Sequence, residues 1–394
     1  MVDYAALVQH LAAAAPAPFG LLSQQATPTA PLLRRTFGNR LKCLFSPEHG
    51  WFGLAAAGEK TASETHPLWR IPVHSLYGAA RRPSPEMFQG LARVVVDLQD
   101  IGVRCYTYLA TLKNMLEAAT EAQVPVTVLD RPIPLGGTVD GPLREERFSS
   151  FVAPLDIPLC HGMTPGECAT YIVREGKLAV DLTVIRMRDW SHARREPWMN
   201  FTPPSPAIRN WDCAALYPAT VFTEAYPALD CDRDGPFAFR VLGAPWLDAV
   251  RLLEDIGRAL PVCGLGARLL RYRPSGGLYK GQLLDGTLHR EPRSLLPRHG
   301  GHARPQRPHA PPRRRPAPGR TRGLAGQARR HGYAPRRPCL QSDERPLPDL
   351  ARRARRLPRR ARQPLRLTRR QRADLSAATR SVLSHGKPSR PKCP

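Results

Sequence analysis

The sequence predicts an α/β protein with a Rossmann-like, doubly wound parallel sheet, a second, smaller α/β domain that is incomplete, and a disordered basic tail. Short apolar runs alternate with amphipathic helical patterns, as in repeated strand–helix–strand units. Three consecutive valines at residues 94–96 are typical of a strand buried on both faces of a parallel sheet. Polar residues directly follow the apolar runs, which places a candidate site at the carboxyl edge of the sheet.

Composition divides the chain into a body and a tail. The formal net charge is +26, but about 30 of the 59 Lys and Arg and only about 5 of the 33 acidic residues lie beyond residue 285. The body therefore carries a charge of about +1, and the tail about +25. Arginine and proline dominate the tail, which has too few aromatic and β-branched residues to form a core. From residue 287 onward we expect out-of-frame translation of a GC-rich gene, or an unstructured segment.

Several classes of protein are disfavoured because their patterns are absent. No apolar run reaches the roughly 18 residues that a membrane-spanning helix needs. The first strand is not followed by the glycine pattern of a dinucleotide site, and the chain has no P-loop motif. The nine cysteines show no zinc-ligand spacing and are expected to be reduced, partly buried thiols. We therefore expect no metal and no cofactor.

The elements of the first domain follow in order from the apolar spacing. Residues 1–17 form an N-terminal extension with a short helix, because Leu7 and Leu11 share one helical face. Two further segments, 32–37 and 109–121, show helical spacing of apolar residues. Buried or edge strands are expected at residues 18–22, 40–45, 71–78, 94–96 and 124–129, with a surface loop over 58–68.

Beyond residue 141 the pattern is looser. Thr164 and Glu167 have the spacing of a capping box, which favours a structural role for Glu167 over a catalytic one. Residues 217–224 indicate a short strand that ends in Glu224. Further elements are a strand at 182–187, a helix at 245–260 and strands from 269 onward. The expected domains are 18–150, with an alternative boundary near 225, then 151–286, and a tail at 287–394.

The first candidate for chemistry is the loop Ser46-Pro47-Glu48-His49-Gly50 after the second strand. Proline ends the strand, and a glutamate and a histidine then lie beside a glycine, where α/β enzymes often present reactive groups. A turn with two solvated polar residues is an equally good local interpretation. Other polar residues that follow predicted strands are Asp97, Gln99, Asp100, Asp130, Arg131 and Glu224.

Seven short motifs occur in order along residues 18–285. They are Ser46-Pro47-Glu48-His49-Gly50, Ser75-Leu76-Tyr77-Gly78, the segment 97–108, Leu129-Asp130-Arg131-Pro132, Gly141-Pro142-Leu143, the segment 161–167 and Gly243-Ala244-Pro245-Trp246. Together they resemble the exo-β-N-acetylmuramidases of the NamZ type, bacterial peptidoglycan hexosaminidases formerly grouped as a domain of unknown function. The resemblance implies a Rossmann-like catalytic domain and a smaller α/β domain, with the active site in the cleft between them.

The resemblance also implies an activity, the release of terminal N-acetylmuramic acid from the non-reducing end of peptidoglycan fragments. Glycoside cleavage needs one carboxylic acid to protonate the leaving oxygen and a second group to act as base or nucleophile. By this analogy Glu48 is the catalytic acid, His49 orients it, and Asp100 is a further catalytic candidate. The candidates for binding the muramyl sugar are Gln99, Arg104, Tyr106, Asp130, Arg131 and Glu224.

Structural roles are equally compatible with several of these residues. Asp100 and Asp130 could hold Arg104 and Arg131 in ion pairs, or the two guanidinium groups could bind the lactyl carboxylate of the sugar. Tyr106 could stack on the sugar ring or fill the core.

Three loops depart from the family pattern, which raises other hypotheses. Residues 132–134 and 204–207 each lack an asparagine, and residues 230–235 replace a loop that contains a glutamate. These changes suggest a degenerate relative that binds muramyl sugars without cleaving them. Nonspecific nucleic-acid binding through the tail is disfavoured, because the tail lacks interleaved aromatic residues and any recognised nucleic-acid motif.

The start of the chain bears on location. Asp3 stands where a signal peptide needs a basic residue, so the chain as encoded is expected to be cytoplasmic. Members of this family are often exported, and a missing true start would place the protein in the periplasm instead. The sequence does not indicate an oligomeric state.

Overall fold

The computed structural model describes residues 1–14, 16–24, 27–193, 201–258 and 266–290. The strands are β1 (Phe19–Leu22), β2 (Leu41–Ser46), β3 (Glu64–Thr65), β4 (Pro72–Ser75), β5 (Arg93–Val96), β6 (Val126–Leu129), β7 (Asp140–Leu143), β8 (Pro158–Cys160), β9 (Leu182–Ile185), β10 (Val241–Gly243), β11 (Gly266–Tyr272) and β12 (Leu284–Arg290). The helices are α1 (Tyr4–Ala13), α2 (Thr29–Phe37), α3 (Tyr108–Glu121), α4 (Pro165–Glu175), α5 (Trp211–Thr220) and α6 (Ala249–Gly257). Short 3-10 helices cover Gly38–Arg40, Pro85–Phe88, Glu146–Phe148 and Val221–Ala225.

Seven strands form one sheet in the order β3-β4-β2-β1-β5-β6-β9. Neighbouring strands are parallel except for β3, which runs antiparallel to β4 and lies at the edge of the sheet. The chain builds outward from β1 through β2 to β4, then places β5, β6 and β9 on the other side of β1. The predicted doubly wound fold is confirmed. The strand order reverses direction at β1, and such a reversal leaves a crevice outside the carboxyl ends of the central strands.

The sheet is buried on both faces. Val94 and Val96 belong to one apolar cluster and Val95 to a second, so consecutive valines of β5 point to opposite sides. The first cluster includes α3 and α4, and the second includes α1 and α2. This arrangement explains why β5 is continuously apolar instead of alternating.

The N-terminal extension predicted at residues 1–17 contains a helix that belongs to the core of this sheet. Leu7 and Leu11 of α1 are 0% and 1% exposed and pack among residues of β1 and β2. His10 of the same helix lies 3.1 Å from the hydroxyl of Thr127 in β6. The helix therefore covers part of one face of the sheet.

A separate antiparallel sheet has the order β10-β12-β11. Its central strand, β12, continues through Arg290, with Thr287 paired to both Leu242 and Leu269. The predicted start of the tail at residue 287 is therefore corrected, because four of its residues complete a strand. Residues 287–290 are too few to show an alternating strand pattern, and an Arg-rich stretch follows them directly. Residues 291–394, the rest of the predicted tail, lie outside the described residues.

The strand predicted at residues 217–224 is wrong. Residues up to Thr220 belong to α5, which Asn210 begins by accepting a hydrogen bond from the Cys213 amide at 3.0 Å. Residues 221–225 then form a 3-10 helix. The β-branched and aromatic residues here fill a helical turn, because tertiary packing overrides the local preference for a strand.

The capping box predicted for α4 is confirmed. The Thr164 hydroxyl accepts from the Glu167 amide, while the Glu167 carboxylate accepts from the Thr164 amide at 2.9 Å. We expect Thr164→Ala to lower the free energy of unfolding by about 1–2 kcal/mol, because a buried cap is lost. Thr170→Ala is the matched control, since this hydroxyl only bonds back to the Gly166 carbonyl within α4. Equal urea midpoints for the two variants would contradict the expectation.

Candidate active site

The loop after β2 presents Glu48 in a fixed position. One carboxylate oxygen accepts a hydrogen bond from the Gly58 amide at 2.7 Å, and the other accepts from the Thr107 hydroxyl at 2.6 Å. The backbone turns sharply here, with positive φ at both His49 and Gly50. Glu48 is 7% exposed, so its two donors replace most of the water that a surface carboxylate would have.

His49 stabilises the same loop through a different contact. Its Nδ1 lies 2.9 Å from the Ala55 carbonyl, and the Ala55 amide donates to the His49 carbonyl at 3.2 Å. Among the described residues, no hydrogen bond joins the His49 ring to Glu48. Glu48 is therefore oriented by Gly58 and Thr107, while His49 closes the turn from residue 49 to residue 55.

A cavity of about 250 Å³ lies beside Glu48 at the carboxyl edge of the sheet. Its walls come from the loops after β2 and β5 and from the segments around residues 205 and 224. The lining residues are Glu48, His49, Ala57, Gly58, Tyr77, Cys105, Tyr106, Thr107, Val152, Ser205, Ala207, Ile208, Tyr217, Glu224, Arg233 and Phe239. A larger cavity of about 460 Å³ beside β11 and β12 holds none of the predicted site residues, so we place the site at the smaller one.

Among the described residues that line the smaller cavity, the Asp, Glu, Lys and Arg side chains are Glu48, Glu224 and Arg233. Arg233 Nη1 lies 3.6 Å from Glu224 Oε1. Burial raises the pKa of Glu224, the Arg233 charge opposes that rise, and the nearby Glu48 adds to it. The cavity thus combines a glutamate that has a raised pKa with a second glutamate in a fixed position.

Aromatic rings and hydroxyl groups form much of the remaining wall. The Tyr106 ring meets Tyr108 edge-on at 4.9 Å between centroids and Tyr217 at 6.0 Å. The Tyr106 hydroxyl has no hydrogen-bond partner among the described residues. Apolar ring faces in the wall of a cavity suit a sugar, which offers C–H faces for packing.

Four of the predicted site residues come together here, and two others lie beneath the loops. Glu48, His49, Tyr106 and Glu224 line the cavity, whereas Gln99 and Asp100 do not. The Gln99 amide donates to the carbonyls of Asp100 and Pro132, and Asp100 accepts from the Gly102 amide at 2.7 Å. Gln99 therefore joins the loops after β5 and β6, and the Asp100 side chain closes a turn within the loop after β5.

Asp130, Arg131 and Arg104 also lie outside the cavity lining. Asp130 accepts from the Gly166 amide at 2.8 Å and the Thr164 hydroxyl at 3.1 Å, which anchors the start of α4. Arg131 forms a two-point ion pair with Asp97 and also donates to the Tyr4 hydroxyl.

Arg104 donates to two backbone carbonyls, those of Pro142 and Ile157. Neither arginine therefore pairs with the aspartate expected from the sequence. The Arg131 guanidinium is occupied by structural contacts, and Arg104 makes its two contacts through Nη1.

The structure adds residues that the sequence did not single out, notably Thr107, Ser205, Tyr217 and Arg233. Thr107 lies within a motif of the family resemblance, and that was the available signal. Ser205 and Arg233 lie in two of the loops that depart from the family pattern, which was the signal available for them, although the rule that polar groups follow strands does not apply to either.

The buried Asp100 predicts a pH effect on stability. Burial raises its pKa to about 7 from the usual 3.8, although the Gly102 and Ile101 amides oppose the rise. The folded state then holds this proton more tightly than the unfolded chain, so stability falls as the pH rises from about 4 to 7. We expect Asp100→Asn to remove about 2–4 kcal/mol of this loss. Urea unfolding at pH 4.5 and 7.5 measures the change in unfolding free energy with pH. An equal change in the wild type and in Asp100→Asn would contradict the expectation.

Within the ranges that the structure describes, no three His, Cys, Asp or Glu side chains are grouped so as to hold a metal ion. The described helices include none with the length and apolar character needed to cross a bilayer.

The fold and the site define a class of protein, an α/β protein whose parallel sheet opens into a cavity lined by two carboxyl groups. The family described as exo-β-N-acetylmuramidase NamZ, N-terminal, matches residues 15–212. The chain belongs to this family, and the resemblance inferred from its motifs is confirmed.

Individual proteins agree with this placement. Peptidoglycan β-N-acetylmuramidase NamZ from Bacillus subtilis (strain 168) is 36% identical over 251 residues, which is 63% of this chain and 60% of that protein. The chain thus spans less than two thirds of the length of this curated relative. Two crystal structures of DUF1343 family proteins from Bacteroides fragilis are also similar. They have TM-scores of 0.64 and 0.55, identities of 29% and 26%, and cover 72% and 69% of this chain and 74% and 71% of their own.

Proposed function

We propose that this protein is a glycoside hydrolase that releases terminal N-acetylmuramic acid from the non-reducing end of peptidoglycan fragments during cell-wall turnover. The observation that carries the proposal is a pair of glutamates, Glu48 and Glu224, that line one cavity. Hydrolysis of a glycoside uses two carboxyl groups, one to protonate the leaving oxygen and one as base or nucleophile. Family membership and the similar Bacillus subtilis protein, which is named a peptidoglycan β-N-acetylmuramidase, support the same reaction.

The two glutamates have environments suited to different tasks. Burial raises the pKa of Glu224, which favours the protonated form that a general acid needs. Glu48 is held from both oxygens by Gly58 and Thr107, which fixes its direction toward the cavity. We assign Glu48 and Glu224 as the reacting pair and expect His49 to maintain the loop that carries Glu48.

The altered loops bear unequally on this proposal. Ile133 is fully buried, and its methyl group would lie 2.9 Å from a Cβ added at Gly102, so this departure belongs to the core. Ser205 and Ala207 line the cavity. The family pattern has an asparagine at the position of Ala207. One amide is thus absent from the cavity wall, and the proposed sugar would have to be held by the hydroxyl groups there.

The test combines turnover with binding. The protein is incubated with the disaccharide of N-acetylmuramic acid β-linked to N-acetylglucosamine, and the released sugars are separated and quantified. The disaccharide of reversed order is the control, because its non-reducing end lacks the lactyl group. Release from the first substrate alone is expected. Calorimetry with N-acetylmuramic acid completes the test, since binding without release indicates a sugar-binding protein and the absence of both contradicts the proposal.

A further inference from the structure

An anionic sugar needs a cationic partner in the cavity. Among the described residues that line it, Arg233 is the only Arg or Lys. Arg131 and Arg104 do not line the cavity. Arg131 forms an ion pair with Asp97, and Arg104 donates to two backbone carbonyls. A carboxylate placed elsewhere in the cavity would meet the like charge of Glu48 without compensation.

The contacts of Arg233 leave its guanidinium accessible to a ligand. Its ion pair with Glu224 is 3.6 Å long, and its hydrogen bond to Asp234 is 3.4 Å long. Both distances exceed the roughly 2.7–2.9 Å of a good charge-assisted hydrogen bond. Its Nη2 has no partner among the described residues, so donors are available along one edge of the planar group.

The loop that carries Arg233 is braced on both sides. Asp230 accepts from the Asp232 amide at 2.8 Å and from the Tyr272 hydroxyl of β11 at 2.7 Å. The Asp232 carboxylate accepts from the Phe237 amide at 3.0 Å. Such bonds fix the backbone on either side of Arg233, as expected for a binding residue held in advance of its ligand.

We propose that Arg233 determines specificity by binding the lactyl carboxylate of N-acetylmuramic acid, an inference that rests on the proposed function. The carboxylate takes over the donors that now make long contacts with Glu224 and Asp234. A guanidinium can meet both carboxylate oxygens with parallel hydrogen bonds, which neither a neutral side chain nor a lysine can do.

The experiment compares two substrates that differ only in charge. They are nitrophenyl β-N-acetylmuramide and its derivative with a carboxamide in place of the lactyl carboxylate. We expect the wild type to prefer the acid, in kcat/KM, by about tenfold to a hundredfold, and Arg233→Gln to bring the ratio close to one. The loss should fall mainly on KM for the acid. Arg233→Lys should keep an intermediate ratio, because it retains the charge without the planar fork.

The ratio separates substrate recognition from general damage. Arg233→Gln also removes the positive charge beside Glu224, but any resulting change in the chemical step affects both substrates equally. Arg174→Gln is the matched control, since it removes the same charge from an exposed pair with Glu175 and should leave the ratio unchanged. A wild-type ratio near one, or an unchanged ratio in Arg233→Gln, overturns the assignment. Absence of both turnover and binding in the wild type instead overturns the proposed function.

Discussion

Glu48→Gln is expected to lower the release of N-acetylmuramic acid by about 10²- to 10⁴-fold, the usual contribution of a positioned acid or base. Glutamine keeps the shape of the side chain and one oxygen for the Gly58 amide or the Thr107 hydroxyl. It can neither carry a negative charge nor exchange a proton with the substrate. Initial rates with the disaccharide measure the effect.

Glu59→Gln is the control for this variant. Glu59 lies in the following loop, is exposed, and accepts only a local hydrogen bond from the Ala56 amide at 2.8 Å. Its replacement should leave turnover unchanged. Rates for Glu48→Gln within threefold of the wild type would remove Glu48 from the reaction.

The leaving group distinguishes the roles of the two glutamates. Nitrophenolate departs without protonation, whereas a sugar hydroxyl does not, so loss of the general acid slows the disaccharide far more than the nitrophenyl glycoside. Loss of the base or nucleophile slows both. We expect Glu224→Gln to show the first behaviour and Glu48→Gln the second, and the reverse result would exchange the two assignments.

Asp97→Asn is expected to lower the free energy of unfolding by about 3–5 kcal/mol, a greater loss than removal of the Thr164 cap should cause. The side chains of Asp97 and Arg131 are 0% and 3% exposed, so loss of one charge leaves the other buried and unpaired. Burial acts against the charge of Arg131, but Asp97 more than compensates and raises the pKa of the guanidinium. Urea unfolding at pH 7 measures the loss.

Two further variants serve as controls for the unfolding free energy of Asp97→Asn. Arg174→Gln breaks an exposed pair with Glu175 and should cost less than about 1 kcal/mol. Replacing both partners, as in Asp97→Asn with Arg131→Met, should recover part of the loss, because no unpaired charge remains. A cost for Asp97→Asn no larger than that of the exposed pair would show that the buried pair does not hold the strands.

The sheet could be predicted because its strands are buried on both faces. Residues 94–96 alternate between the two apolar clusters, so each position must be apolar. The strand can therefore be recognised from its own sequence, without knowledge of its neighbours in the sheet. The alternation of strands and helices then fixed the class of fold. The segment 217–224 failed because Val221 and Thr223 occupy a 3-10 helix, where packing instead of local preference decides the backbone.

The site was only half predictable, because spacing along the chain does not show which loops face each other. Asp97 and Arg131 lie 34 positions apart and pair because β5 and β6 are neighbours in the sheet. Asp130 lies next to Arg131 but turns to the start of α4. Polar residues at the ends of adjacent strands therefore divide between the cavity and the supports beneath it, and sequence alone gives both groups the same pattern.

The hydrogen bond between Tyr272 and Asp230 makes the loop that carries Arg233 depend on a strand that is synthesised after it. Glu48, Glu224 and Arg233 leave the ribosome before β11 and β12, yet the loop that carries Arg233 is anchored by a hydroxyl group of β11. A nascent chain that ends before residue 266 contains both glutamates but lacks this anchor. Among the described strands, β11 and β12 are the last in chain order, so the loop that carries Arg233 gains its anchor only after the rest of the cavity lining has been synthesised.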